Sequence, residues 1–370
     1  MFDRRLLSNF DWILLGLVVV LCSVGMLAMY SATLGSPEKQ GYFTRQAYWM
    51  FTGFGVVLAT QFIHYRNWAQ LGIFLHLAVV GLLVLVLLYG TGGPGTSVQR
   101  WLKIGPIFMQ PSEFCKITLV LTLAYHFRDS GSDNHRLMKL LRMVWSALLI
   151  LVPVVLIVRQ PDLGTALLLL IIYFPIVFLM GLSAWTLLGL GILGAVSLPI
   201  AWLSYLKPYQ KERILTFLNP ERDPLGAGYH IIQSKIAVGS GQFWGTGLGE
   251  GTQGQLNFLP ASHTDFIFAV FSEEWGFFGS MFVLLLFLLL TLWSLGGIFR
   301  SRDRVSAVLS VGVVAMITSH VLINIGMTLG LMPVVGVPLP FFSYGGSSTL
   351  TMMFGVGLLL NIRMRRFETT

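Results

Sequence analysis

Apolar residues run through this chain in stretches of about 20 positions, separated by short polar breaks and two longer polar intervals. Ten stretches stand out: Trp12–Tyr30, Ala47–Ile63, Leu71–Tyr89, Pro111–Phe127, Val144–Val158, Leu163–Met180, Trp185–Leu203, Asp265–Leu295, Val305–Leu329 and Ser347–Ile362. Runs of this length match helices that cross a bilayer. The strands of a membrane barrel would instead alternate over segments of about 10 residues. The pattern predicts an all-α, polytopic integral membrane protein: one ten-helix domain over residues 1–370, with a long extracytoplasmic loop, 207–264, between the seventh and eighth helices. The first run is long enough to span, and no cleavage site interrupts it, so no cleavable leader is expected.

Inside the long interval the period changes. Gly228 to Val238 carries apolar residues at helical spacing and predicts a short amphipathic helix lying at the membrane surface. Glycines crowd the stretch after it, from Gly239 to Gly254, and predict tight turns or close backbone approach to a ligand. The other long interval, Gly90 to Gln110, begins glycine-rich and ends in Arg100-Trp101-Leu102-Lys103; it reads as loop.

Composition agrees with the pattern. Of 370 residues 55% are hydrophobic and only 11% charged, against about 25% charged in a soluble domain. Cys22 and Cys115 fall within apolar runs and suit small core residues, not a disulfide framework or metal site. The net charge of +8 bears first on orientation, not on nucleic acid. Ten spans put both termini on one side. Arg4, Arg5, Arg66, the set Arg128/Arg136/Lys139/Arg142, the set Arg300/Arg302/Arg304 and the set Arg363/Arg365/Arg366 fall on that side, which reads as cytoplasm. The opposite side is also basic. Its long loop is exempt from the rule, but Arg100, Lys103 and Arg159 are not. Cations held there point to an anionic ligand, or else to an ordinary solvated surface.

Ionisable residues at the ends of apolar runs are the candidates for chemistry. Asp265 sits where the long loop enters the eighth run, after His263 and Thr264. Thr264 or Asp265 suits the N-cap of the next helix. A carboxylate shielded by Phe258, Leu259, Phe266 and Phe268 also suits a general base near neutral pH. In Gln110-Pro111-Ser112-Glu113-Phe114-Cys115-Lys116, Glu113 and Lys116 share a helix face and read either as an intramembrane ion pair or as a phosphate-binding lysine oriented by its glutamate. Asp162 precedes an apolar run as an N-cap does, and beside Arg159 it would complete an outward polar cleft. Ser343-Tyr344-Gly345-Gly346-Ser347 opens the last run with backbone N–H groups that could receive an anion. His320 and Asn324 share one face of the ninth run and read as helix–helix hydrogen-bonding groups. One of Glu273 and Glu274 is expected to face a polar centre. No nucleotide-binding loop, zinc motif or serine-nucleophile motif occurs.

Taken together, Arg100-Trp101 with Gln110-Pro111-Ser112-Glu113, Arg159-Gln160-Pro161-Asp162-Leu163-Gly164-Thr165, Gly247-Leu248-Gly249, His263-Thr264-Asp265-Phe266 and Ser343-Tyr344-Gly345-Gly346-Ser347-Ser348 resemble the shape, elongation, division and sporulation family over nearly the whole chain. Gly251 to Phe258 looks closer to the elongation branch than to the division branch. The resemblance implies a peptidoglycan glycosyltransferase. It would polymerise lipid II at the outer face of the bacterial cytoplasmic membrane, with a class B penicillin-binding protein as transpeptidase and the elongation machinery as partners. The family's catalytic aspartate maps onto Asp265, and Glu113, Lys116 and Asp162 match positions important to activity or to the central cavity. The family commonly has glutamate after the proline of this motif, and this chain has Ala261. On this reading Asp265 deprotonates the acceptor hydroxyl. Arg100, Lys103, Lys116, Arg159 and a divalent cation (Mg or Mn) neutralise the diphosphate, with no organic cofactor. A lipid flippase, a division-type polymerase and a scaffold for the transpeptidase are the competing expectations.

Overall fold

A computed structural model describes residues 9–35, 39–92, 99–105, 107–130, 136–181, 189, 208–223, 226–256, 258–259, 261–298 and 303–366. Three long helices come first: α1 (Trp12–Leu34), α2 (Gln40–Phe62) and α3 (Tyr65–Tyr89). Asp11 caps α1 by accepting the Leu14 N–H at 2.9 Å. Strands β1 (Thr91–Gly92), β2 (Gln99–Ile104) and β3 (Ile107–Met109) follow, then α4 (Pro111–His126), α5 (Arg136–Arg159) and α6 (Leu163–Leu179). The long loop carries α7 (Pro208–Leu218), α8 (Ala227–Ser240) and the single turn α9 (Thr252–Gln255). The chain ends in α10 (Ile267–Ile298), α11 (Arg304–Thr328) and α12 (Gly346–Met364).

Nine of the ten expected spans coincide with these helices, and α8 covers the expected amphipathic helix. The remaining one, Trp185–Leu203, lies outside the described residues except at position 189. Among the described residues, five helices are long and apolar enough to cross a membrane by length and composition: Trp12–Leu34, Tyr65–Tyr89, Leu141–Arg159, Ile267–Ile298 and Arg304–Thr328. The protein is a multi-pass membrane protein.

The bundle has an inside and an outside. Helices α4, α11 and α12 bury almost every described side chain, as helices enclosed by other helices must. Helix α4 packs on α3, α11 on α6 and α10, and α12 on α2. At Gly72 a Cβ would come within 2.7 Å of the Leu121 backbone, so α3 and α4 touch through a position that only glycine fits. Outward faces carry bare apolar side chains such as Phe74, Leu77, Trp145 and Phe282, which suit lipid and not water.

Three features depart from the sequence expectation. Gly90 to Gln110 is not simply a loop: β1, β2 and β3 form a small antiparallel sheet in the order β1-β2-β3, with Lys103 opposite Phe108 and Leu102 opposite Met109. A second helix, α7, precedes α8 in the long loop. The eighth span begins at Ile267, so Asp265 lies in a turn before the helix; the described residues give neither Thr264 nor Asp265 a side-chain capping bond. Helix α10 also bends at Gly276 (φ 62°), where a Cβ would sit 2.3 Å from Gly245 N.

Between α11 and α12 the chain runs without regular structure through buried positions Val337, Leu339, Phe341 and Phe342. Buried irregular backbone must find partners within the protein. Its partners are the side chains described next.

Candidate active site

Ala261 closes the turn before α10. Its carbonyl accepts the N–H groups of Thr264 (3.1 Å) and Phe266 (3.3 Å), and its own backbone is left-handed (φ 52°). Two neighbours clamp the turn. Asn324 of α11 donates from Nδ2 to the carbonyls of Asp265 (3.0 Å) and Val337 (2.7 Å), joining the turn to the irregular segment. On the other side, Ser343 donates to the Thr264 carbonyl at 2.6 Å, and the Tyr344 N–H donates to the His263 carbonyl at 2.9 Å. These bonds hold the backbone of residues 263–265 and leave the Asp265 carboxylate without a hydrogen-bond partner among the described residues. A Cβ on Gly336 would lie 3.5 Å from its Oδ2, so that wall is bare backbone.

The carboxylate is half-buried and lies within the electrostatic reach of two guanidinium groups, Arg100 from β2 and Arg213 from α7. Burial raises its pKa from 3.8 to about 6; the two arginines oppose the rise without cancelling it. A carboxyl in that range is ionised at neutral pH yet basic enough to take a proton. Arg100 continues the polar path. Its Nη1 lies 3.4 Å from Asp162 Oδ1, while its Nε is buried without a partner. Asp162 caps α6 through the Thr165 N–H (3.2 Å) and also accepts from Thr165 Oγ1 (2.9 Å) and Gln110 Nε2 (3.2 Å).

Beside the turn lies a cavity of about 500 Å³, lined in part by Tyr42, Arg45, Trp49, Trp101, His263 and Tyr344. His263 stacks on Tyr42 with ring centroids 4.5 Å apart. Burial, and then the nearby Lys39 charge, push its pKa down to about 4, so the ring is neutral at physiological pH and offers no charge to an anion.

Several sequence expectations need correction. Lys116 is fully buried. It donates to Glu113 Oε1 at 2.8 Å and lies 2.7 Å from His320 Nε2. An ammonium has no acceptor, so Nε2 must accept and the His320 proton sits on Nδ1, facing the Pro338 carbonyl at 3.1 Å. The group braces α4 against α11 and the irregular segment, and a sealed ammonium is not placed to bind phosphate. Arg159 is exposed and has no partner among the described residues; the cation beside Asp162 is Arg100 instead. Lys103 turns outward, 5.8 Å over the Phe108 ring. At the start of α12, the Ser347 hydroxyl accepts the Gln110 N–H (3.1 Å) and the Gly345 N–H donates to Gln46 Oε1 (3.1 Å), while Gly345 and Gly346 border the cavity beside the Asp265 turn.

His320 and Asn324 do more than join helices, since Asn324 holds the Asp265 turn itself. Glu273 and Glu274 are both buried. Glu273 accepts from Thr252 Oγ1 and Gln253 N, and Glu274 from Ser31 Oγ and Gly249 N, so both fasten the glycine-rich loop to α10. The sequence marks the side that holds the long loop as basic without singling out Arg213 within it, and gives Arg45 no site role. Their positions depend on α7 and on the cavity wall, for which the local sequence carries no signal.

The FtsW/RodA/SpoVE family model, described as cell cycle protein, matches residues 9–368. The peptidoglycan glycosyltransferase MrdB of Escherichia coli K12 is 42% identical over 305 residues, which cover 82% of this chain and 79% of that one. Among solved structures, a chain from a peptidoglycan synthase complex, described as coordinating polymerisation and crosslinking, superposes with a TM-score of 0.82 at 32% identity, covering 97% of this chain and 99% of that chain. The crystal structure of the rod shape determining protein RodA of Thermus thermophilus superposes with a TM-score of 0.71 at 29% identity, covering 97% and 98%.

Proposed function

This chain belongs to the FtsW/RodA/SpoVE family of cell cycle proteins, and from that membership we infer that it is a peptidoglycan glycosyltransferase polymerising lipid II during cell elongation. The single observation that carries the chemistry is the Asp265 carboxylate, fixed by its backbone, without a hydrogen-bond partner among the described residues and under the charge of two arginines. Kinship with curated glycosyltransferases supports an enzyme over the flippase and scaffold alternatives, and the higher identity to MrdB (42%) than to the FtsW relative of Trichlorobacter lovleyi (37%) favours the elongation branch over the division branch.

The substrate has a hydrocarbon tail and a sugar diphosphate head, so it requires a site at a membrane surface. Asp265 takes the proton of the acceptor sugar hydroxyl as that oxygen bonds to the anomeric carbon of the donor. The bond from that carbon to the diphosphate breaks, and the electron pair leaves with the diphosphate. General-base help of this kind contributes about 10²–10⁴-fold. Arg100 and Arg213 meet the charge growing on the leaving group, where fixed cations act most strongly. One base and one activated leaving group suffice for a single inverting displacement; the two-carboxylate scheme of retaining glycosidases is not needed. The cavity beside the turn, with its aromatic walls and Arg45, is of a size to hold part of the head group.

A divalent cation remains part of the proposal, but the donors fit no dedicated cage. No three His, Cys, Asp or Glu groups converge among the described residues, and Asp162 is already occupied by Arg100, Thr165 and Gln110. No step is routed through a metal. The likeness to a chain of a peptidoglycan synthase complex supports a partner synthase. We propose a class B penicillin-binding protein in that role, the elongation machinery around it, both termini in the cytoplasm and Asp265 on the outer face of the cytoplasmic membrane.

The test is polymerisation by purified protein in detergent, with and without a partner carrying an inactivated transpeptidase site, given labelled lipid II and Mg²⁺ or Mn²⁺. Glycan ladders from wild type and none from Asp265→Asn are expected. Full polymer yield from Asp265→Asn would remove the general-base assignment. Lipid scrambling in liposomes without any polymer would replace the enzyme by a flippase.

A further inference from the structure

At the opposite end of the bundle from Asp265, a second cavity of about 470 Å³ opens between α3, α4 and α5. It is remote from the proposed chemistry: Gln110, just before α4, touches the Asp162 site, whereas the cavity meets the last turn of α4, a 16-residue helix about 24 Å long. Its polar lining includes His126, Arg128, Asp129 and Arg142. The positive-inside reading assigns this end to the cytoplasmic face.

Arg128 is held ready. The turn that carries it closes through Phe127 N to Leu123 O (2.9 Å) and Ser130 N to Phe127 O (3.2 Å), and Arg304 of α11 donates to Ser130 Oγ at 2.8 Å. The guanidinium lies 4.2 Å over the Tyr125 ring and, among the described residues, gives only its Nε, to Asp129 at 2.8 Å. Its remaining N–H groups form the flat fork that suits phosphate. Arg142 and His126 bridge α4 and α5 reciprocally, through Arg142 Nη1 to the His126 carbonyl (3.1 Å) and between His126 Nε2 and the Arg142 carbonyl (2.8 Å), which keeps a second cation at the rim. The other lining residues are apolar, and several belong to the lipid-facing surface: Leu141 is 47% exposed and Trp145 61%. Phosphate donors beside a wall that continues into hydrocarbon describe an amphiphile, not a soluble anion. Tryptophan at this depth is the usual interfacial residue.

We propose that this cavity seats the headgroup phosphate of an anionic phospholipid, with Arg128 as its principal donor and an acyl chain along Leu141 and Trp145. Asp129 opposes the ligand and tempers its affinity.

Native mass spectrometry of the delipidated full chain, titrated with phosphatidylglycerol or phosphatidylcholine of identical acyl chains, tests this. Wild type should retain phosphatidylglycerol preferentially. Arg128→Gln should lower that affinity about tenfold, the value of one charge-assisted contact, and bring the two lipids near parity. Arg128→Lys keeps the charge and should keep part of the preference, which guards against poor folding of the glutamine variant. Asp129→Asn should tighten phosphatidylglycerol binding, and glycan polymerisation by Arg128→Gln should equal wild type. Equal retention of both lipids by wild type, or unchanged retention by monodisperse Arg128→Gln, would overturn the proposal. Displacement of the lipid by millimolar glycerol phosphate would reassign the cavity to soluble phosphates.

Discussion

Asp265 shows how one side chain is left available for chemistry by what its neighbours leave undone. Asn324, Ser343 and Tyr344 satisfy the backbone of its turn and leave the carboxylate free, while burial lifts its pKa to about 6. The sign for activity follows directly: a base works only when deprotonated. Polymerisation rate under subsaturating substrate should therefore fall about tenfold per pH unit below about 6 and level off above it. Initial rates across that range check this; a rate that rises on acidification would contradict the role. Lys116 belongs to the same scale with the opposite fate, since every contact it has is inside the bundle. Removing one member of a buried pair strands the other, so Lys116→Ala should lose about 3–5 kcal/mol, whereas the paired change Glu113→Leu with Lys116→Met should recover much of it. Thermal midpoints in detergent, read by size-exclusion fluorescence, distinguish the two outcomes.

Elements matter through their ends and joints. Helix α11 serves two functions from one face. His320 closes the interior with Lys116, and Asn324, one turn on, carries the Asp265 turn. Asn324→Ala leaves two buried carbonyls short of a donor, and a base displaced by about 1 Å loses about 10²-fold. We expect that loss in kcat with little change in KM. Asn324→Asp should not restore full activity, because an ionised carboxylate donates to neither carbonyl and a protonated one has a single O–H for the two. In α10 the bend at Gly276 lets the glycine-rich loop lie against the helix, with Glu273 and Glu274 receiving its N–H groups. Gly276→Ala drives a Cβ into Gly245 N and requires a strained φ, so it should cost about 3 kcal/mol and free the loop to protease. Limited proteolysis around residues 239–256 reads this directly; wild-type resistance would show that the joint tolerates a side chain.

At the scale of the whole molecule, charges from two distant parts, a strand before α4 and a helix in the long loop, act on one carboxylate at the entry to α10. Both arginines lower the Asp265 pKa, so deleting either raises it. Arg213→Ala and Arg100→Ala should each move the acid limb of the rate profile to higher pH, in addition to weakening donor binding. An unchanged acid limb in both variants would mean that the arginines do not sense the base. Such convergence also explains why the site lies at one end of the bundle. The inner helices are sealed by apolar packing, so only their ends offer both water and hydrocarbon.

Hydrophobic runs of membrane length, the amphipathic stretch before the glycines and the aspartate at a span boundary were legible in the sequence because each is a local signal. Bilayer thickness sets the run length and helical periodicity sets the face, and neither needs a tertiary partner. The small sheet and α7 were not legible, since strand pairing depends on a partner and α7 on the surface it covers. The same limit applied to the site. Asp265, Asp162 and Arg100 could be named from their positions, but that Arg100 rather than Arg159 meets Asp162, that Lys116 is sealed, and that Asn324 holds the Asp265 turn were decided by tertiary packing. A charge in a membrane protein takes its meaning from whichever partner or solvent the fold brings to it, and that choice is not written at its own position in the chain.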